Sequence, residues 1–126
     1  MDSRLEQFTD QKYINLETYR KDQTPVKTPV WFIINNDRIH ITTKETTGKV
    51  KRLRNNQTAR IAICSIKGDI KSNWVNVDVQ KIIQESDVEK IIKLRKKKYG
   101  FSSRLIIIFT SQKGKTVAYS LEFTDR

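Results

Sequence analysis

The stretch TPVWFIINNDRIHITTKETTGKVKRLRNN, residues 28–56, decides the fold. It begins apolar and extended, turns at Asn35-Asn36-Asp37, and continues as Arg38-Ile39-His40-Ile41-Thr42, where apolar and polar side chains alternate. Period-two alternation marks a strand with one face in a core, and Asn and Asp tolerate the left-handed backbone angles of a tight turn. A β-hairpin is expected. After Thr43 the pattern changes: Thr46 or Thr47 can cap a short helix whose apolar side is Val50 and Leu53, with Lys49, Arg52 and neighbouring cations around it. Such a helix begins with unpartnered backbone N–H groups, and Gly48 admits close approach to the backbone, so a phosphate suits the place. A capped, solvent-facing helix carrying ordinary surface lysines fits the same residues equally well.

Outward from this unit the chain reads as strands with a few helices. Residues from Asp2 to about Tyr19 suggest a leading helix with Leu5, Phe8, Ile14 and Leu16 inward, followed by an extended Thr24–Asn35 in which Pro25 and Pro29 exclude helix. Strands are expected near 38–43, 58–66 and 73–82, the last alternating Val75, Val77 and Val79 with Trp74, Asn76 and Asp78; Lys67-Gly68-Asp69 supplies a turn. Ser86 is placed to cap a helix ending at Tyr99 and Gly100, with Val88, Ile91, Ile92 and Leu94 on its apolar side. Strands at 104–111 and 115–124 then flank Gln112-Lys113-Gly114, the second with Val117, Tyr119, Leu121 and Phe123 on one face. The expected fold is all-β dominated with flanking helices: a six-stranded antiparallel Greek-key barrel, which removes exposed edges. One domain over residues 1–126 is expected, with a core modest enough to favour burial by dimerisation.

Charge narrows the function. The chain has a net charge of +11, yet residues 1–30 balance, with five acidic and five basic side chains. Between Thr42 and Arg60, Lys44, Lys49, Lys51, Arg52, Arg54 and Arg60 face Glu45 alone. A second excess, Lys90, Lys93 and Arg95 to Lys98, reads as the solvated face of the later helix. Nucleic-acid binding is the reflex interpretation of so basic a chain. However, the aromatic residues lie in apolar strand patterns rather than among the cations, so no specific nucleic-acid partner is expected. With one histidine, His40, and one cysteine, Cys64, a metal centre or a Ser-His or Cys-His pair has almost no raw material. Cys64 reads as a packing residue in a strand. Residues 1–10 lack the apolar region of a signal peptide, and the apolar run Leu105–Phe109 is too short for a membrane span, so a cytoplasmic location and no membrane partner are expected.

The run at residues 28–56 resembles the cofactor-binding core of the flavin-binding split-barrel proteins related to pyridoxamine 5'-phosphate oxidase. Together with LETYRKDQTPVKTPVWF near the front, TGKVKRLRNN, SNWV at 72–75 and KKYG at 97–100, it is similar to the small members of that class that use the deazaflavin F-420. The resemblance implies an FMN-binding split-barrel fold and a cofactor that is F-420 or FMN. Thr28, Pro29, Val30 and Trp31 would run beside the ring, Thr42 and Thr43 would lie near the phosphate, and Thr47, Gly48 and Lys49 would grip it with Arg52 one turn on. Trp74 would approach the site, often from the opposite subunit. The implied protein is a homodimeric oxidoreductase exchanging a hydride with a small-molecule redox substrate, its catalytic residues unassigned because the cofactor carries the chemistry. The alternatives are a non-catalytic flavin or deazaflavin carrier or sensor, and a basic nucleic-acid-binding barrel.

Overall fold

The computed structural model describes residues 2–100 and 114–124. The elements run α1 (Ser3–Glu6), β1 (Ile14–Tyr19), β2 (Pro25–Val30), β3 (Ile33–Asn35), β4 (Arg38–Lys44), α2 (Gly48–Asn55), β5 (Thr58–Ile63), β6 (Val75–Lys81), α3 (Glu85–Tyr99) and β7 (Thr116–Phe123). Among the described residues these strands form one antiparallel sheet in the order β2-β1-β5-β6-β7-β4-β3. The sheet curls into a half-barrel with flanking helices.

Among the described residues it has seven strands, where six were expected of the whole chain. The expected leading helix stops at Glu6, and Ile14–Tyr19 is instead a strand held between β2 and β5. Ile14, Leu16 and Thr18 face the core and are fully buried, while Asn15 and Glu17 are buried on the opposite face by their own polar partners. Two covered faces erase the polar-out signal that would have marked the strand. The expected extended stretch 24–35 divides at Trp31-Phe32 into β2 and β3. The expected strand at 104–111 and residues 112–113 of its turn lie outside the described residues.

That division forces the sheet to curl. β2 and β3 are its two opposite edges, yet only Trp31 and Phe32 separate them in the chain. With strands spaced roughly 4.8 Å apart, a flat seven-stranded sheet would hold its edges nearly 30 Å apart. Two linking residues reach only about 10–11 Å. The edges must therefore meet, and Trp31-Phe32 is the seam.

The carboxyl end of α3 staples it. Phe32 donates its backbone N–H to the Tyr99 hydroxyl (3.0 Å), which lies 2.6 Å from Phe32 O and 2.8 Å from Lys12 O and gives its proton to one of them. Lys98 Nζ donates to Phe32 O at 3.0 Å, and the Trp31 and Tyr99 rings stack at 4.7 Å. Burial drives the Tyr99 phenol far above its ordinary range and lowers the Lys98 amine to about 8. Inside the curl, Leu16, Ile39, Ile41, Ile61, Val77, Val79, Val117 and Leu121 form the core, with Leu5 and Phe8 near α1 and Val50 and Leu53 of α2 packed into it. α3 covers the outer face of β3, β4 and β7 through Ile91 against Ile33 and Ala118, with Val88 and Leu94 alongside.

Local expectations are met at the hairpin, where Asn36 and Asp37 take φ of 52° and 59° between paired Asn35 and Arg38. The alternation of β6 and β7 is also as read: their valines and the Tyr119–Leu121–Phe123 series lie on the core side. Ser86 does not cap α3. The N-cap is Gln84, and Ser86 lies within the first turn. Cys64 is a buried free thiol, pushed up to about 11 by desolvation. No helix among the described residues is long and apolar enough to cross a membrane, and none of them gather into a metal-binding cluster of His, Cys, Asp or Glu.

Two stability outcomes follow from these contacts. Tyr99→Phe keeps the stack on Trp31 but removes the hydroxyl, so it should cost roughly 1–3 kcal/mol in urea unfolding; an unchanged midpoint would contradict the seam. Glu17 is held below its ordinary value of 4.5 chiefly by hydrogen bonding to Arg60. Its stabilisation is therefore complete above that value and lost as pH falls through the lower folded one. Glu17→Gln should destabilise at neutral pH, with the deficit closing in acid; an equal deficit at both would count against the pair.

Candidate anion site at the amino terminus of α2

The site is built where β4 leaves the sheet. Thr43, on the core side of β4, lies 3.3 Å from Thr47 across their hydroxyls, and Thr47 Oγ1 donates to Lys44 O at 3.0 Å. That hydroxyl closes the turn and makes no capping hydrogen bond to α2, whose first turn contains no acidic residue. The helix thus opens with its positive end uncompensated by a side chain.

Two cations belong to this part of the helix: Lys49, its second residue, and Arg52, whose guanidinium lies against Gly48. Lys49 is half-buried and has no carboxylate partner among the described residues. Desolvation, and then the neighbouring Arg52 charge, lower its amine below the usual lysine range. Arg52 folds back along the helix: its Nε donates to Thr18 Oγ1 at 2.6 Å, and its guanidinium lies over Gly48. Its own value is lowered by burial and then by Arg20. Positive charge is thus drawn together without a counter-charge, which a bound anion would relieve.

The remaining positions fall elsewhere. Thr42, adjacent to Thr43, points to the opposite face, where Arg95 Nη1 donates to its Oγ1 at 3.0 Å beneath α3. The two hydroxyls expected as a pair are therefore separated by strand alternation. Trp31 joins the Arg95 and Tyr99 group at the seam, its Nε1 buried without a partner among the described residues. On β2, Thr28 and Val30 register with Leu16 and Ile14 on the core side, whereas Pro29 turns outward. Trp74 lies on the outer face, between Lys27 (5.4 Å) and Arg60 (4.9 Å), with Arg60 bonded through both Nε and Nη2 to Glu17 at 2.9 Å. The structure therefore groups Thr43, Thr47, Gly48, Lys49 and Arg52, and sets Thr42, Trp31 and Trp74 apart from them. Thr18 and Arg20 were missed; the signal was the period-two series Ile14, Leu16, Thr18.

No family profile matches the chain, and no curated protein matches it in sequence. Solved structures do match in fold. The heme storage protein HutZ of Vibrio cholerae superposes with a TM-score of 0.71 at 14% identity, over 99% of this chain and 91% of that one. An F-420 reductase gives 0.69 at 18% identity, over 94% and 92%. A proposed pyridoxamine 5'-phosphate oxidase of Listeria innocua gives 0.67 at 15%, over 96% and 88%. The fold is that of the split-barrel proteins related to pyridoxamine 5'-phosphate oxidase, as the sequence resemblance implied.

In the ligand-free protein the Lys49 amine should titrate below the exposed lysines in a side-chain NMR experiment. Added FMN or F-420 should raise it, because a bound phosphate favours the charged form. Unchanged titration in the presence of saturating ligand would remove Lys49 from the site.

Proposed function

We propose that this chain is a homodimeric oxidoreductase that binds F-420 or FMN by its phosphate at α2 and exchanges a hydride with a small molecule. The observation that carries this reading is the Arg52 guanidinium held against Gly48 at a helix start that has no side-chain cap and no acidic residue in its first turn, with Lys49 in that same turn. The donor set fits a phosphate: an ammonium, a guanidinium and free backbone amides beside a glycine. When bound, the cofactor supplies the redox chemistry. Lys49, Arg52 and the Thr47–Lys49 backbone hold the phosphate, and Thr28 to Val30 flank the ring, with Trp31 following them at the seam. Exposed Lys51 and Arg54 extend the positive surface beyond a single phosphate, which favours the deazaflavin with its carboxylate-rich tail. Trp74, half-exposed on the outer sheet face, belongs to the dimer contact in this reading, and the protein acts in the cytoplasm as one domain.

Haem, named for one protein of the same fold, is less well served. The single histidine, His40, is buried with Nε2 directed at Asn35 O, and burial lowers its affinity for a proton.

Titration with F-420 and with FMN, followed by visible absorbance, tests the proposal. Lys49→Ala should weaken binding by roughly 1.5–3 kcal/mol, the range of a charge-assisted contact, while Lys96→Ala on the solvated face of α3 should bind as the wild type does. Equal affinity for wild type and Lys49→Ala would refute the phosphate grip.

A further inference from the structure

Gly48 raises a question that backbone geometry does not answer. It opens α2 without the positive φ that Gly68, Gly100 and Gly114 adopt, so an L side chain is conformationally acceptable there. What a side chain would meet is Arg52: a Cβ at residue 48 would fall 2.7 Å from Nη1. Glycine at this position leaves room for a guanidinium. Thr18 raises a matching question from the other side. It is the third core-facing residue of β1, after Ile14 and Leu16, and it is fully buried. A hydroxyl there departs from the apolar pattern, and it accepts Arg52 Nε–H at 2.6 Å.

We infer that Thr18 and Gly48 are positioning residues for Arg52, one anchoring Nε and the other vacating the space in which the guanidinium lies against the first turn of α2. Anchoring Nε leaves the two Nη groups as the donors a phosphate would take. An arginine held in advance also gives up less side-chain freedom on binding than a free one. No carboxylate among the described residues occupies those Nη donors. The inference rests on the reading of α2 as a phosphate site and extends it to two residues that never touch the ligand through their side chains.

The test combines two readouts. The first is ligand-free: exchange of the Arg52 Nε proton followed by NMR should be slow in wild type and in Thr18→Ser, and fast in Thr18→Val and Gly48→Ala. The second is affinity for F-420 and FMN. Thr18→Val and Gly48→Ala should each lose about tenfold, the scale of one weakened hydrogen bond, with Thr18→Ser restoring most of it. Gly48→Ala should lose affinity with no fall in Tm, because alanine favours the helix more than glycine does. A purely structural glycine would not give that combination. If Lys49→Ala weakens binding while Thr18→Val and Gly48→Ala bind like wild type, the positioning roles are overturned and the phosphate site stands. If Lys49→Ala also binds like wild type, the phosphate site itself fails. Fast Arg52 exchange in wild type would overturn the anchoring on its own.

Discussion

Only two residues, Trp31 and Phe32, join β2 to β3, and that short link governs how the sheet folds. It ties together the two edges of a seven-stranded sheet, so the sheet closes on itself and α2 is carried over β1. Within the sheet, β1 and β4 are separated by β5, β6 and β7. The hydrogen bond from Arg52, on the helix that follows β4, to Thr18 on β1 therefore spans the closed curl rather than neighbouring strands. The candidate anion site is therefore assembled from elements far apart in the strand order. Tyr99 and Lys98 pin Phe32 at the seam.

Electrostatics divides what composition groups together. The basic stretch between Thr42 and Arg60 looks like one patch along the chain, but the fold distributes its members among different partners. Arg60 is neutralised by buried Glu17 on the outer face, and Lys44 reaches Thr116 on β7. Lys49 and Arg52 remain as the half-buried cations without a carboxylate among the described residues. Cations held without a counter-charge strain the apo state modestly and increase the free-energy gain when an anion arrives. On α3, by contrast, Lys96 and Lys97 stand in open solvent, and the desolvated cation beside them, Lys98, is engaged with Phe32 O at the seam.

Much of this was legible in the sequence where one physical signal dominated. The Asn36-Asp37 turn, the Val50–Leu53 face of α2 and the alternations of β6 and β7 came from periodicity and turn chemistry, and the structure has them as read. β1 was not legible because Asn15 and Glu17 are buried against Gly68 and Arg60, so its polar residues do not signal solvent. The break at Trp31-Phe32 was hidden by a continuous apolar run. Thr42 and Thr43 read as a pair in the chain, but adjacent strand residues face opposite ways, and only Thr43 reaches Thr47. Thr18 and Gly48 make sense only once Arg52 is seen lying between them, a contact between residues 34 apart in sequence.

Docking of an anionic cofactor on α2 can be followed by amide chemical-shift mapping during titration with F-420 and with FMN. The largest perturbations are expected at residues 47–52 and at Thr18 on β1, with little change along the exposed face of α3. Perturbations centred instead on α3 or on the Trp74 face, with α2 silent, would contradict it.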